Sequence, residues 1–100
     1  MSWTRGQLGA SAREFLGSLP LRFEDETRLY VHANPQTYPA WIYVNDGPSA
    51  KRALEASRAQ TVFCGHTHVP ALHGITATGQ LVSFQLVPGV AIPLPRHRRW

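Results

Sequence analysis

Apolar and polar residues alternate in short runs along this chain, and the period of the alternation changes from segment to segment. The runs "PLRFE" and "RLYVH" alternate with period two on either side of Glu24, Asp25 and Glu26, which spells a β-hairpin with an acidic turn. His32 closes its second strand. Ahead of the hairpin, "TRGQL" with Trp3 and Leu8 reads as a weak helical turn, interrupted by Gly6 and Gly9, each of which costs ~1 kcal/mol in a helix interior. Ser11 and Glu14 form a capping-box pattern ahead of Phe15 and Leu16, and Gly17 with Pro20 should stop that helix after about two turns.

Residues 33–48, "ANPQTYPAWIYVNDGP", hold three prolines and an Asn-Asp-Gly turn, which predicts a loop with a helical turn around Trp41 to Tyr43. Loops of this length are often functional. Ser49 is placed to cap a helix running to about Arg58, with Ala50, Ala53 and Leu54 as its apolar stripe. The strand "TVFC" follows and ends at Gly65. Then "ALHGIT" and "LVSFQLV" flank Ala77 to Gln80 as a second hairpin, and "AIPLP" reads as an extended edge segment, since proline is excluded from central strands. The order is helix, hairpin, helix, strand, hairpin: a mixed α/β chain.

Composition narrows the function classes. One hundred residues suit a single domain or one piece of a larger domain, and 43% hydrophobic content is too high for a disordered chain. No apolar run approaches the ~20 residues of a membrane span, and "MSWTRGQLGA" lacks the apolar core of a signal peptide, so the expected location is cytoplasmic with no membrane partner. Cys64 is the single cysteine, which excludes an intrachain disulfide and a thiolate zinc cluster. A buried thiol there behaves as a small hydrophobe. The net charge is +4, but three of the ten basic residues sit in the terminal "RHRRW". That is a basic end, read as solvated together with His97, and nucleic-acid binding is not expected.

The chemistry concentrates in "VFCGHTHVPAL", residues 62–72. In an extended segment side chains at i and i+2 point the same way, with Cα atoms roughly 6.5 to 7 Å apart. Gly65 lets the backbone turn at the carboxyl end of the strand, where open α/β sheets bind ligands. If the strand before His32 shares that sheet, His32, His66 and His68 converge on one rim. Neutral imidazole is a common ligand for zinc, manganese or iron, and three of them form a mononuclear site with an open position. Three readings stay open on spacing alone: a hydrolytic centre, a non-catalytic metal-binding or interaction module holding one ion on three histidines, or exposed polar residues at a strand end. His73 reads as a hairpin residue.

The segment "GHTH" after an apolar strand, with a strand-terminal histidine about thirty residues upstream in "VHANP", resembles the last two metal-binding motifs of the calcineurin-like metallophosphoesterases, most closely the small bacterial phosphodiesterase-like members. The resemblance implies part of a β-sandwich flanked by helices, a four-layer αββα fold, with residues 1–100 a single partial domain lacking its N-terminal half. It implies phosphomonoester or phosphodiester hydrolysis by a water activated between two divalent ions, manganese, iron or zinc. His32 and His66 would hold one ion and His68 the other. Asn34 would reach a phosphate oxygen or cap a turn, and Tyr38, Trp41 and Tyr43 would lie beside the site, with core packing the favoured role for Trp41.

The departures matter equally. The family's Asp-x-His, Gly-Asp and Asn-His-Asp or Asn-His-Glu motifs do not occur in this chain, whose only aspartates are Asp25 and Asp46. No catalytic acid is therefore assigned, and the chain alone is expected to be inactive. Strands missing from the sheet would leave exposed edges open to self-association.

Overall fold

The computed structural model describes residues 2–35 and 41–100. Two helices open the chain, α1 (Ser2–Gln7) and α2 (Ala10–Ser18). The expected capping box does not form: α2 starts one residue before Ser11, with Gly9 as its N-cap and no side-chain cap bond. Gly17 is accommodated inside the helix. The stop comes at Leu19, which is extended because the ring of Pro20 excludes the α region for the residue before it.

The first hairpin forms as its alternation predicts, with β1 (Arg22–Glu24) antiparallel to β2 (Arg28–Val31). Asp25 organises the turn, its carboxylate accepting the backbone N–H groups of Thr27 and Arg28 at 3.0 and 2.8 Å. Trp41 to Tyr43 form no helical turn; Trp41 has φ 56°, a left-handed value that a right-handed helix cannot contain.

The next helix, α3 (Gly47–Glu55), begins three residues earlier than Ser49 as cap would allow and ends three residues short of Arg58. Asp46 is the N-cap, accepting the Ser49 N–H at 2.7 Å, while the Ser49 hydroxyl accepts the Asp46 N–H at 3.1 Å. Serine thus occupies the third helical position of a reciprocal capping box, and Pro48 sits in the first turn, where its missing N–H costs nothing.

From α3 the chain enters β3 (Thr61–Cys64), which pairs parallel with β2, Leu29 opposite Val62 and Val31 opposite Cys64. Strands β1, β2 and β3 form one sheet in that order. The second hairpin, β4 (Leu72–Ile75) and β5 (Leu81–Phe84), forms a separate two-stranded sheet. Residues 91–95 form no strand.

Helix α3 packs on both sheets, and the terminal dipeptide hydrogen-bonds to both. Arg99 exchanges two backbone hydrogen bonds with Ile75, at 2.9 and 3.0 Å, while Trp100 donates to Gln60 and accepts from Val62 at 2.9 and 2.7 Å. The expectation of a solvated basic end therefore fails at its last two residues. The Arg99 guanidinium donates to the carbonyls of Leu54, Ser57 and Ala59, in the last turn of α3 and the segment that follows it. Trp100 joins Leu29, Ala50, Ala53, Leu54, Ala59 and Ile75 in the core.

Candidate metal-binding histidine pair

Parallel pairing fixes the geometry of the site. Because β2 and β3 run the same way, their carboxyl ends lie side by side, and the Gly65 N–H donates to the His32 carbonyl at 3.0 Å just beyond the last paired residues. His32 and His66 leave the sheet at that shared rim. Their rings meet with His32 Nε2 2.9 Å from His66 Nδ1, centroids 4.8 Å apart and planes at 61°.

The backbone at the second histidine is unlike the expected extended pair. His66 and His68 have φ 69° and 57°, and the Thr67 N–H donates to the Gly65 carbonyl at 2.8 Å. Around His66 this is a γ-turn of the rare positive-φ kind. The sharp bend falls on the histidines and not on Gly65. Left-handed residues break the period-two alternation on which the convergence of His66 and His68 depended. His68 is exposed, and among the described residues no group of three His, Cys, Asp or Glu side chains is placed to hold one metal ion.

Aromatic side chains surround the pair. Tyr43 stacks on His66 at 4.3 Å and 17°, and Trp41 tilts against His32 at 4.6 Å and meets His66 edge-on at 5.8 Å. Trp41 is half-exposed and packs on imidazole, which corrects its assignment to the core. Tyr38 lies outside the described residues. Asn34 is buried and lines a small hollow with Leu21, Val31, His32, Ala33 and Trp41. The Tyr43 and Trp41 contacts were not legible from spacing, since loop residues have no period.

At 2.9 Å the two rings share a hydrogen bond; nitrogens about 2.0–2.1 Å from a tetrahedral ion stand roughly 3.3–3.4 Å apart, so a small opening of the pair, with the bridging proton released, would admit one cation. The pair fits part of one ion's shell. It does not make a two-ion centre. Asp25 is committed to its turn and to Arg28, and Asp46 to the cap of α3, so neither aspartate faces the imidazoles as a ligand.

Other candidates resolve plainly. His73 Nδ1 lies 2.7 Å from the Ser83 hydroxyl, its opposite number on β5, a cross-strand pair. Cys64 is exposed at the surface yet borders a cleft of about 330 Å³ between α3, β3 and β4, lined by Leu54, Val62, Val69, Leu72 and Trp100. Partial desolvation there pushes its thiol pKa up, away from nucleophilic character.

No family model matches the chain, and no curated protein matches it. A solved structure from Sphaerobacter thermophilus does match, with 35% sequence identity and a TM-score of 0.66 over 77% of this chain. That structure is a metallophosphoesterase. The chain spans 30% of its length. At this coarse level the mixed α/β arrangement of small sheets corresponds to part of a metallophosphoesterase. None of the described helices is long and apolar enough to cross a membrane.

Proposed function

We propose that these residues are the histidine-bearing portion of a metal-dependent phosphoesterase domain, one whose complete form is a four-layer αββα sandwich using two divalent cations, manganese, iron or zinc. Divalent cations supply an activated water and neutralise phosphate oxygens during attack on a phosphoester. His32 and His66 are assigned to one cation, His68 to its neighbour, and Asn34 to the substrate side. The supporting observation is the placement of His32 and His66, 34 positions apart in sequence, at the joint carboxyl end of two parallel strands with 2.9 Å between ring nitrogens. Its likeness to a metallophosphoesterase supports the same reading.

Three neutral imidazoles cannot compensate two dications, so carboxylate ligands from elsewhere in the complete domain are required, and the isolated chain is inactive in this reading. A manganese-supplemented assay of the purified chain with a chromogenic phosphodiester tests that statement: the expected result is no turnover above buffer. Robust turnover that is abolished by His68→Ala would overturn it. Elemental analysis of the metal-loaded chain separates the alternative, a non-catalytic module with one ion on three histidines, which predicts one tightly held ion whose loss follows from removing any of the three.

A further inference from the structure

Among the described residues, the non-glycine positions with positive φ are Trp41, His66 and His68, at 56°, 69° and 57°. Such values strain L side chains, and a bulky indole is rarely found there. Two of the three strained residues meet at the histidine pair. His66 is one of its rings, and the Trp41 indole lies against both, with ring centres 4.6 Å from His32 and 5.8 Å from His66. Two residues further on, Tyr43 lies flat on His66 at 4.3 Å and 17°. One short loop segment thus supplies both aromatic rings that bear on the pair.

That segment is anchored by α3. The N–H groups of Asn45 and Asp46 both donate to the Ser49 hydroxyl, at 3.2 and 3.1 Å, so the chain that carries Tyr43 runs into a fixed helix start. His66, by contrast, sits beyond the last paired residue of β3, and strand pairing does not set its ring torsions. Ring contact does. Turning the imidazole about its Cβ–Cγ bond drives its edge into the plane of the Tyr43 phenol, and the indole blocks His32 from swinging aside. An aromatic face is electron-rich, whereas an imidazole bound to a dication is electron-poor, so the stack favours the ligated ring over the free one.

We propose that Trp41 and Tyr43 are positioning residues of the metal site, a clamp that holds His32 and His66 face to face so that only the small opening of their hydrogen-bonded pair is needed to admit an ion. This rests on the reading of His32 and His66 as ligands. Neither aromatic ring touches the ion; both act through the imidazoles. Without the clamp the rings must be ordered at the moment of binding, and that cost corresponds to a loss of roughly three- to tenfold in affinity.

The test uses the full 100-residue chain and cobalt(II) as the probe, followed by its visible absorption. Tyr43→Leu and Trp41→Leu should each weaken cobalt binding roughly three- to tenfold, while Tyr43→Phe, which keeps the stacked ring, should bind as the wild type does. Both side chains are half-exposed, so the urea midpoints of these variants should stay near the wild-type value. In the metal-free chain the ring protons of His66 should be shifted upfield in the NMR spectrum by the Tyr43 ring, a shift that Tyr43→Phe keeps and Tyr43→Leu abolishes. If His32→Ala and His66→Ala weaken cobalt binding while Tyr43→Leu and Trp41→Leu do not, the clamp is overturned and the ligand assignment stands. A loss of affinity that follows a fall in the urea midpoint and is not rescued by Tyr43→Phe, or a wild-type His66 without the upfield shift, also overturns the clamp. Cobalt binding indifferent to His32→Ala and His66→Ala overturns the ligand assignment and this proposal with it, an outcome told apart by an upfield shift that remains intact.

Discussion

His32 Nε2 and His66 Nδ1 stand 2.9 Å apart although 34 residues separate them in the chain. The juxtaposition follows from the parallel ladder of β2 and β3, whose register ends at Val31 and Cys64. If this pair is a metal-binding unit, cobalt(II) or zinc titrated calorimetrically into the chain should lose at least tenfold in affinity on His32→Ala and equally on His66→Ala. His73→Ala should change nothing, because that ring is occupied with Ser83. Equal affinities in all three variants would remove the pair from consideration.

The positive φ of His66, 69°, is a conformation that L side chains resist by roughly 1–2 kcal/mol and glycine does not. His66→Gly should therefore be more stable than His66→Ala by about 1 kcal/mol in urea denaturation while binding metal no better. A histidine kept where glycine fits more easily points to its ring as the reason for its presence.

Gly74 and Trp100 are packed without a margin. A methyl group on Gly74 would lie 2.5 and 2.7 Å from two ring carbons of Trp100 and 2.9 Å from the Arg99 carbonyl. Gly74→Ala should destabilise by about 1–3 kcal/mol through overpacking. Trp100→Ala should cost ~3–5 kcal/mol, because it empties a core position. Equilibrium unfolding midpoints check both, and a neutral Gly74→Ala would mean that Trp100 is not packed against Gly74.

Arg99→Gln should loosen the end of α3. The guanidinium serves three carbonyls of residues 54–59, and charge-assisted hydrogen bonds contribute about 1.5–3 kcal/mol. Arg99→Lys should recover only part of this, since an ammonium cannot spread three donors in one plane. Hydrogen exchange at Ala56 and Ser57, whose N–H groups close the last turn on Arg52 and Leu54, reports the local effect.

Acid should act through the α3 cap. Hydrogen bonding from Ser49, side chain and then backbone, holds the Asp46 carboxyl below its usual 3.8. The unfolded chain therefore takes up this proton first as pH falls, so the stabilisation is complete above pH 3.8 and is lost as pH drops through the folded value. Asp46→Asn keeps a capping side chain that does not titrate. Its urea midpoint should decline less than the wild type's as the pH is lowered below 3.8. Parallel declines would sink the assignment.

Both hairpins, the βαβ order of β2, α3 and β3, and the boundaries of "TVFC" could be read in the sequence, because period-two alternation and turn residues act over a few positions and need no partner. The histidines as candidates were legible for the same reason. Which of them meet was decided by tertiary structure: parallel pairing brings His32 to His66, whereas the left-handed backbone at His66 and His68, invisible in a residue pattern, breaks the expected convergence of the third ring. Asp46 replaced Ser49 as helix cap because the chain enters α3 extended at Asp46. Arg99 and Trp100 looked like a solvated end, yet carbonyls more than forty residues away and a strand with an open edge took them in. Local patterns determine which short segments form. Long-range hydrogen bonding and packing decide which side chains share a site, since those energies exist only once distant segments have met.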